Sequence, residues 1–152
     1  MEKIEFTDEY FMKQALTEAK KAFDADEVPI GAVIVCDQKI IARAHNLTER
    51  LCDGTAHAEM QAFTSASEYL GGKYLEECTL FVTLEPCIMC AGAAAWVRVG
   101  KVVYGAADNK HGCSGAKAKV FHTKTKVKKG VLTDQCADIL KTYFKKKRID
   151  NV

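Results

Sequence analysis

The sequence has no long apolar run, since no stretch of its 152 residues approaches the ~20 apolar residues of a membrane span. The N-terminal segment, residues 1–5, lacks the basic flank and apolar core of a signal peptide. Internal repeats, low-complexity tracts and domain linkers are also missing. These absences predict one domain over residues 1–152, a cytoplasmic location and no membrane partner.

Proline is scarce, and each of the two prolines marks a boundary. Pro29 pushes Val28 out of the α region, so it ends a first helix. Pro86 suits the first turn of a later helix, because its missing N–H would have no partner there. The chain divides naturally at these points into alternating helices and strands.

Seven cysteines form an odd set in a chain that does not look secreted, so we predict no disulfide framework. Three of them lie in apolar or helical contexts and are predicted to be small buried residues: Cys36, Cys78 and Cys136. Cys52 and Cys113 fall in loop-like stretches and are predicted to be reduced thiols. Cys87 and Cys90 form a Cys-x-x-Cys pair directly after Pro86.

The net charge is only +2, but it is distributed unevenly. Residues 1–100 carry 9 Lys/Arg against 16 Asp/Glu, a net −7, whereas residues 101–152 carry 13 against 4, a net +9. Two basic groups stand out in the second part, at residues 124–129 and 145–148. Such segregation suits a partner made of phosphates. A solvated lysine-rich surface that only aids solubility is an equally open interpretation at this point.

Hydrophobic periodicity predicts four helices and five strands. The helices are expected at Asp8–Asp24, with Thr7 as N-cap, and at 57–70, 86–96 and 134–147, with Asp134 as the last N-cap. The strands are expected at 30–35, 40–44, 79–84, 101–105 and 127–132, with a hairpin turn at 36–39. The first strands lack clean polar alternation, which predicts an α/β fold with helices on both faces of the sheet.

The two most informative motifs are His57-Ala58-Glu59 and, 27 residues later, Pro86-Cys87-Ile88-Met89-Cys90. One imidazole and two thiols are ligands that suit zinc, and three protein ligands leave the fourth tetrahedral position free for water. Both motifs stand at predicted helix starts, where the unpaired N–H groups and the helix dipole lower the pKa of a thiol. The pattern therefore predicts an open, catalytic zinc site held by His57, Cys87 and Cys90.

Glu59 is not needed as a ligand, and its side chain leaves the helix in a different direction from His57. It is placed to accept a proton from an activated water and to hand that proton to a leaving amine. We therefore predict Glu59 as the catalytic acid–base and hydrolytic deamination of an aromatic amidine-type ring carbon as the reaction.

Each motif alone has a simpler explanation. A Cys-x-x-Cys pair is often redox-active or structural, and His-x-Glu occurs by chance in many proteins. A closed structural zinc site would need a fourth ligand, for which four residues are available: His45, His111, His122 and Cys113. The combination of both motifs, each opening a helix, favours catalytic zinc.

At these residues the chain resembles the zinc-dependent nucleobase and nucleoside deaminase superfamily, and within it the bacterial tRNA-specific adenosine deaminases. The resemblance extends over nearly the whole chain. It rests on segments 28–33, 45–46, 55–59, 83–93 and 103–106, on Asp108, and on the ending 137–148.

This resemblance implies a cytidine deaminase-like three-layer α/β/α sandwich around a five-stranded mixed sheet. It also implies a homodimer with the active site near the interface, and one Zn²⁺ per subunit. The implied reaction converts adenosine to inosine at the wobble position of a tRNA, in particular an arginine tRNA. An anticodon loop lowers the cost of presenting the base, since that base is already unpaired.

The resemblance also implies roles for four substrate-binding residues. Asn46 would hydrogen-bond the flipped base or its ribose, while the backbone at Ala58 and the side chain of Val28 would shape the base pocket. Asp108 would lie in a loop that touches the RNA backbone.

Two other functions remain to be separated from this one. A deaminase of free guanine, cytosine or a nucleoside would share the motifs but would need no phosphate-binding surface. A non-catalytic, zinc-stabilised RNA-binding module would have no use for Glu59. The basic second part of the chain and the context 83–87 favour tRNA as the substrate.

Overall fold

The computed structural model describes residues 5–151. The prediction that no signal peptide is present concerns residues 1–5, most of which lie outside the described residues. Within residues 5–151 there are four α-helices, five strands and one short 3₁₀ helix. In chain order these are α1 Asp8–Asp24, β1 Gly31–Cys36, β2 Lys39–His45, α2 Ala58–Leu70, β3 Cys78–Leu84, α3 Ile88–Val97, β4 Lys101–Ala106, the 3₁₀ helix Cys113–Gly115, β5 Lys126–Lys129 and α4 Thr133–Asp150.

The strands form one mixed sheet in the order β2-β1-β3-β4-β5. β1 is antiparallel to both β2 and β3, whereas β4 is parallel to β3 and β5. Asp37 and Gln38 close the β1–β2 hairpin with positive φ angles of 50° and 62°, the conformation that a tight two-residue hairpin turn requires. The predicted turn and the predicted five-stranded mixed sheet are confirmed.

Helices cover both faces of the sheet, as predicted. Along β1, Ala32 and Ile34 point toward α2 and α3, while Val33 and Val35 point toward α1 and α4. Phe63 is the largest α2 side chain in the first core, and Cys136 joins α4 to the second. The three-layer α/β/α architecture therefore follows from strands that are apolar on both sides.

α1 lies directly on β1, because Gly31 offers no side chain to hold it away. A Cβ on Gly31 would lie only 2.0 Å from the carbonyl oxygen of Ala15. Thr7 caps the helix as predicted, accepting a hydrogen bond from the Tyr10 N–H. The buried face is centred on Met12 and Ala15, and Leu16 and Phe23 are half-buried beside it.

The C-terminal part departs most from expectation. β5 ends at Lys129 rather than at 132, because Gly130 and Leu132 take positive φ angles that break the extended chain. α4 then begins at Thr133 with Leu132, not Asp134, as its N-cap. Phe144 of α4 is 45% exposed.

No helix in the described part of the chain combines the length and the apolar character that a membrane crossing needs.

Candidate active site

The three predicted metal ligands meet where α2 and α3 begin. His57 and Cys87 are the N-caps of these helices rather than first-turn residues, and neither side chain makes a capping hydrogen bond. Both side chains are therefore free to face each other. The Nδ1 atom of His57 lies 3.6 Å from Sγ of Cys87 and 3.5 Å from Sγ of Cys90, and all three ligand atoms lie within 4.8 Å of one another.

These distances fit a tetrahedral zinc site. Zinc–sulfur bonds of about 2.3 Å and zinc–nitrogen bonds of about 2.0–2.1 Å at a tetrahedral angle place nitrogen and sulfur about 3.6 Å apart. Among residues 5–151, the group contains only His57, Cys87 and Cys90. The four residues that could have closed a structural site do not join it. The donor set therefore fits a metal ion with one coordination position left open.

The charges of the two thiols also suit a cation. Hydrogen bonds from Cys90 and His57 lower the pKa of Cys87 to about 4. The hydrogen bond to Cys87, together with burial, raises the pKa of Cys90. Without a cation the pair thus favours a single thiolate, at Cys87. A divalent cation is what would stabilise two thiolates side by side. The hydrogen bond to Cys87 also raises the pKa of His57.

Glu59 lies in the first turn of α2 and is 4% exposed. Burial raises the pKa of its carboxyl to about 7. A carboxyl with a pKa near neutrality can both take up and release a proton during a reaction cycle. The geometry places it beside the metal-ligand group without making it a ligand.

A cavity of about 900 Å³ opens onto this group. Of the eight predicted site residues, six line it: Val28, Asn46, His57, Glu59, Cys87 and Asp108. The other two, Ala58 and Cys90, lie fully buried behind the lining. The structure thus brings all eight to one place, although they come from both halves of the chain.

Asn46 joins the cavity wall to the start of α2. It follows β2, and its Oδ1 accepts a hydrogen bond of 2.9 Å from the backbone N–H of Ala58. This bond leaves the N–H groups of the Asn46 amide for other partners. It also occupies the Ala58 N–H, so Ala58 shapes the cavity by fixing Asn46 rather than by lining it.

The part played by α4 was not predicted from the sequence. Five residues of this helix line the cavity: Leu140, Lys141, Phe144, Lys147 and Arg148. α4 is held in place by the ion pair of 2.6 Å between Lys147 and Asp26 and by the Tyr143 hydroxyl, which donates to the Asp26 carbonyl. The signal was available in the sequence, because Leu140, Phe144 and Arg148 recur at helical spacing.

Two buried carboxylates were also missed. Glu27 accepts hydrogen bonds from the backbone N–H groups of Glu49 and Arg50, in the loop that contains Thr48 of the cavity wall. Glu85 accepts from backbone N–H groups of the loop that contains Asp108. The sequence alone does not distinguish a buried carboxylate that accepts hydrogen bonds from a loop backbone from a carboxylate exposed to solvent.

The chain is similar to known proteins over most of its length. The model of a family described as MafB19-like deaminase matches residues 6–148. The tRNA-specific adenosine deaminase of Bacillus subtilis (strain 168) is 49% identical over 146 residues, which cover 93% of this chain and 91% of the relative. That of Aquifex aeolicus (strain VF5) is 46% identical over 144 residues, covering 92% and 95%.

A solved structure from a study of A-to-I editing by tRNA:A34 deaminases at the wobble position of transfer RNA superposes with a TM-score of 0.81 at 42% identity. It covers 86% of this chain and 99% of its own.

Proposed function

The chain belongs to the family of tRNA-specific adenosine deaminases, and we propose that it converts adenosine to inosine at the wobble position of a tRNA by hydrolytic deamination. The observation that carries the proposal is the open His57–Cys87–Cys90 group with Glu59 beside it, in one cavity with a basic helix at its rim. We further propose an arginine tRNA as the substrate.

In this proposal His57, Cys87 and Cys90 hold one zinc ion. When bound, zinc would supply a Lewis acid that lowers the pKa of water at the open position. Glu59 accepts the proton of that water at its carboxylate. It then donates the proton to the amine that leaves the ring carbon, while the water oxygen remains on the ring. The raised pKa of Glu59 suits a group that must bind and release a proton in each cycle.

The remaining cavity residues bind and orient the nucleotide. Asn46 offers amide N–H groups to the base or ribose, and Val28 packs against the base. Ala58 keeps Asn46 in place through its backbone N–H. Asp108 lies in the loop on which the RNA backbone rests. Arg148 at the rim suits a phosphate, because its guanidinium can form two hydrogen bonds to phosphate oxygens.

We also propose that the chain acts as a homodimer. α3, which begins directly after Cys87, carries two exposed apolar side chains, Ile88 and the 84% exposed Trp96. An exposed indole on the helix that starts at the metal ligands supports an interface next to the active site.

The decisive experiment is inosine detection in an arginine tRNA anticodon stem-loop incubated with the purified, zinc-loaded protein. Free guanine and free cytosine are assayed in parallel. Inosine in the stem-loop, with neither free base consumed, supports the proposal. Turnover of only a free base would instead make the chain a nucleobase deaminase.

Glu59→Ala separates catalysis from mere zinc-stabilised RNA binding. A non-catalytic module predicts that every activity of the protein survives this change. Our proposal predicts that deamination is lost, while the zinc content and the folded state are retained.

A further inference from the structure

Glu85 holds both ends of one loop of the cavity wall. The residue directly follows β3, and its side chain is only 4% exposed. The backbone N–H of Asp108 donates to its Oε1 at 3.2 Å, and the N–H of Ser114 donates to its Oε2 at 2.9 Å. A buried carboxylate needs such partners, because an unpaired buried charge is very costly. One carboxylate therefore fixes residues 108 and 114 at the same point.

The loop between these residues is itself tightly closed. The carboxylate of Asp108 accepts hydrogen bonds from the N–H groups of Lys110 and His111. The N–H of Cys113 donates to the carbonyl of Pro86, and Gly112 forms a β-bridge with Cys87. The Asp108 side chain is thus fixed to its own loop. Its position in the cavity depends on where the whole loop is anchored.

Gly112 allows the carboxylate to approach the loop closely. A Cβ on Gly112 would lie 2.2 Å from Oε2 of Glu85 and 2.4 Å from the carbonyl oxygen of Asp108. By contrast, a Cβ on Gly115 of the same loop would meet nothing within 4 Å. Glycine at position 112 therefore allows the Glu85 carboxylate to lie in contact with the loop backbone.

We propose that Glu85 is a positioning residue for substrate binding: it sets the place of Asp108 in the cavity wall and so determines how tightly the RNA is held. The inference rests on the proposed function, since it deepens the role given there to Asp108. Glu85 acts through the loop and not on the reacting atoms. Its loss should therefore affect binding of the RNA more than the chemical step.

Hydrogen exchange tests the anchoring without any activity assay. Glu85→Gln replaces one acceptor oxygen by an NH₂ donor, so the side chain can accept from only one of the two amides. Glu18→Gln is the matched control, since Glu18 is equally buried but its partners are the side chains of Lys21 and His45.

We expect Glu85→Gln to increase amide exchange in residues 108–114 and Glu18→Gln to leave that segment unchanged. Full protection of the segment in Glu85→Gln would overturn the proposal, whatever the substrate of the enzyme proves to be.

Kinetics on the stem-loop test the consequence. Glu85→Gln should raise KM roughly 10-fold, the effect of losing one hydrogen bond to a buried charge. The value of kcat should change by no more than about 3-fold, since the reacting groups stay in place. The zinc content should match that of the parent protein. In an Asp108→Ala background, Glu85→Gln should raise KM very little further, because both residues act through the contact of Asp108 with the RNA. Additive effects, or a fall in kcat with KM unchanged, would instead indicate a general structural role.

Gly112→Ala provides a test that keeps the carboxylate. The added Cβ should push the loop away from Glu85 and raise KM in the same way. Gly115→Ala, with open space around it, should behave as the parent does. Equal behaviour of the two alanine variants would contradict the anchoring, and it can be measured even where Glu85 variants fail to fold.

Discussion

At the scale of single residues, the candidate metal site depends on two side chains that make no capping hydrogen bond. His57 and Cys87 occupy N-cap positions, where a side chain usually bonds the helix, but neither does so. Their donor atoms can therefore turn toward a common point. Glu59, the second residue of α2, is buried close to them and does not belong to the group of metal-ligand candidates.

These residues were predictable from the sequence because ligand chemistry restricts both residue type and spacing. The partners of Glu27 and Glu85 were not predictable in this way. Their backbone donors lie 22 to 29 residues away in the chain, and any residue except proline can supply a backbone N–H.

Replacing Glu59 with Gln should abolish most of the activity while leaving the fold intact. The amide keeps the size of the side chain but cannot carry the proton, so we expect the rate of inosine formation to fall by roughly 10²–10⁴-fold. Stability should not fall, because burial of the carboxylate is unfavourable at neutral pH. The rate, the zinc content and the melting temperature are measured together. Glu68→Gln, on the exposed side of the same helix, is the control and should keep full activity. A comparable loss of activity in both variants would show that Glu59 has no specific catalytic role.

At the scale of elements, the sequence predicted the helix boundaries that are set by a residue at the boundary itself. Thr7 starts α1 and Gly71, with its positive φ, ends α2, as their residue types indicate. The start of α4 depends instead on Leu132 adopting a left-handed conformation, which its residue type disfavours. The spacing of Leu140, Phe144 and Arg148 indicates one face of α4, but the sequence does not show that this face lines the cavity. That placement depends on docking against Asp26, just after α1.

Gly31→Ala should separate α1 from the sheet. The added Cβ would clash with the carbonyl oxygen of Ala15 and the backbone nitrogen of Ala19, neither of which can rotate away. We expect the free energy of unfolding to fall by about 3 kcal/mol, the upper part of the usual range for overpacking. Denaturant unfolding measures it. Gly72→Ala, where nothing lies within 4 Å, is the control and should change stability little. Unchanged stability in Gly31→Ala would show that α1 can move away without loss.

Trp96→Glu should dissociate the proposed dimer. A carboxylate on this part of α3 would have to be buried in the interface without a partner, which is strongly unfavourable. We expect the variant to be a folded monomer by light scattering at concentrations where the parent is a dimer. Ile149→Glu, at an exposed apolar position on α4, should remain dimeric. A parent that is monomeric at all concentrations would refute the dimer proposal itself.

At the scale of the whole molecule, two parts of the chain differ in charge, with a net −7 in residues 1–100 and a net +9 in residues 101–152. The fold places the basic groups of the second part in two regions. β5 lies at an edge of the sheet, where Lys128 pairs with Asp8. The end of α4 borders the cavity, where it presents Arg148. Composition left a phosphate-containing partner and a solvated lysine-rich surface equally open, and only the fold indicates which basic region lies beside the cavity.

Charge reversal should therefore affect RNA binding at α4 more than at β5. Lys145→Glu combined with Lys146→Glu reverses two exposed cations in the turn of α4 between the cavity-lining residues Phe144 and Lys147. We expect KM for the stem-loop to rise and the slope of log KM against log salt to fall by roughly 1, because fewer counterions are released on binding. The matched variant, Lys126→Glu combined with Lys129→Glu, makes the same change in net charge on exposed residues of β5. It should alter both quantities much less. Equal changes of KM and of its salt dependence in the two double variants would mean that RNA binding depends only on the net charge of the protein. No response to either pair would assign these lysines to a solvated surface.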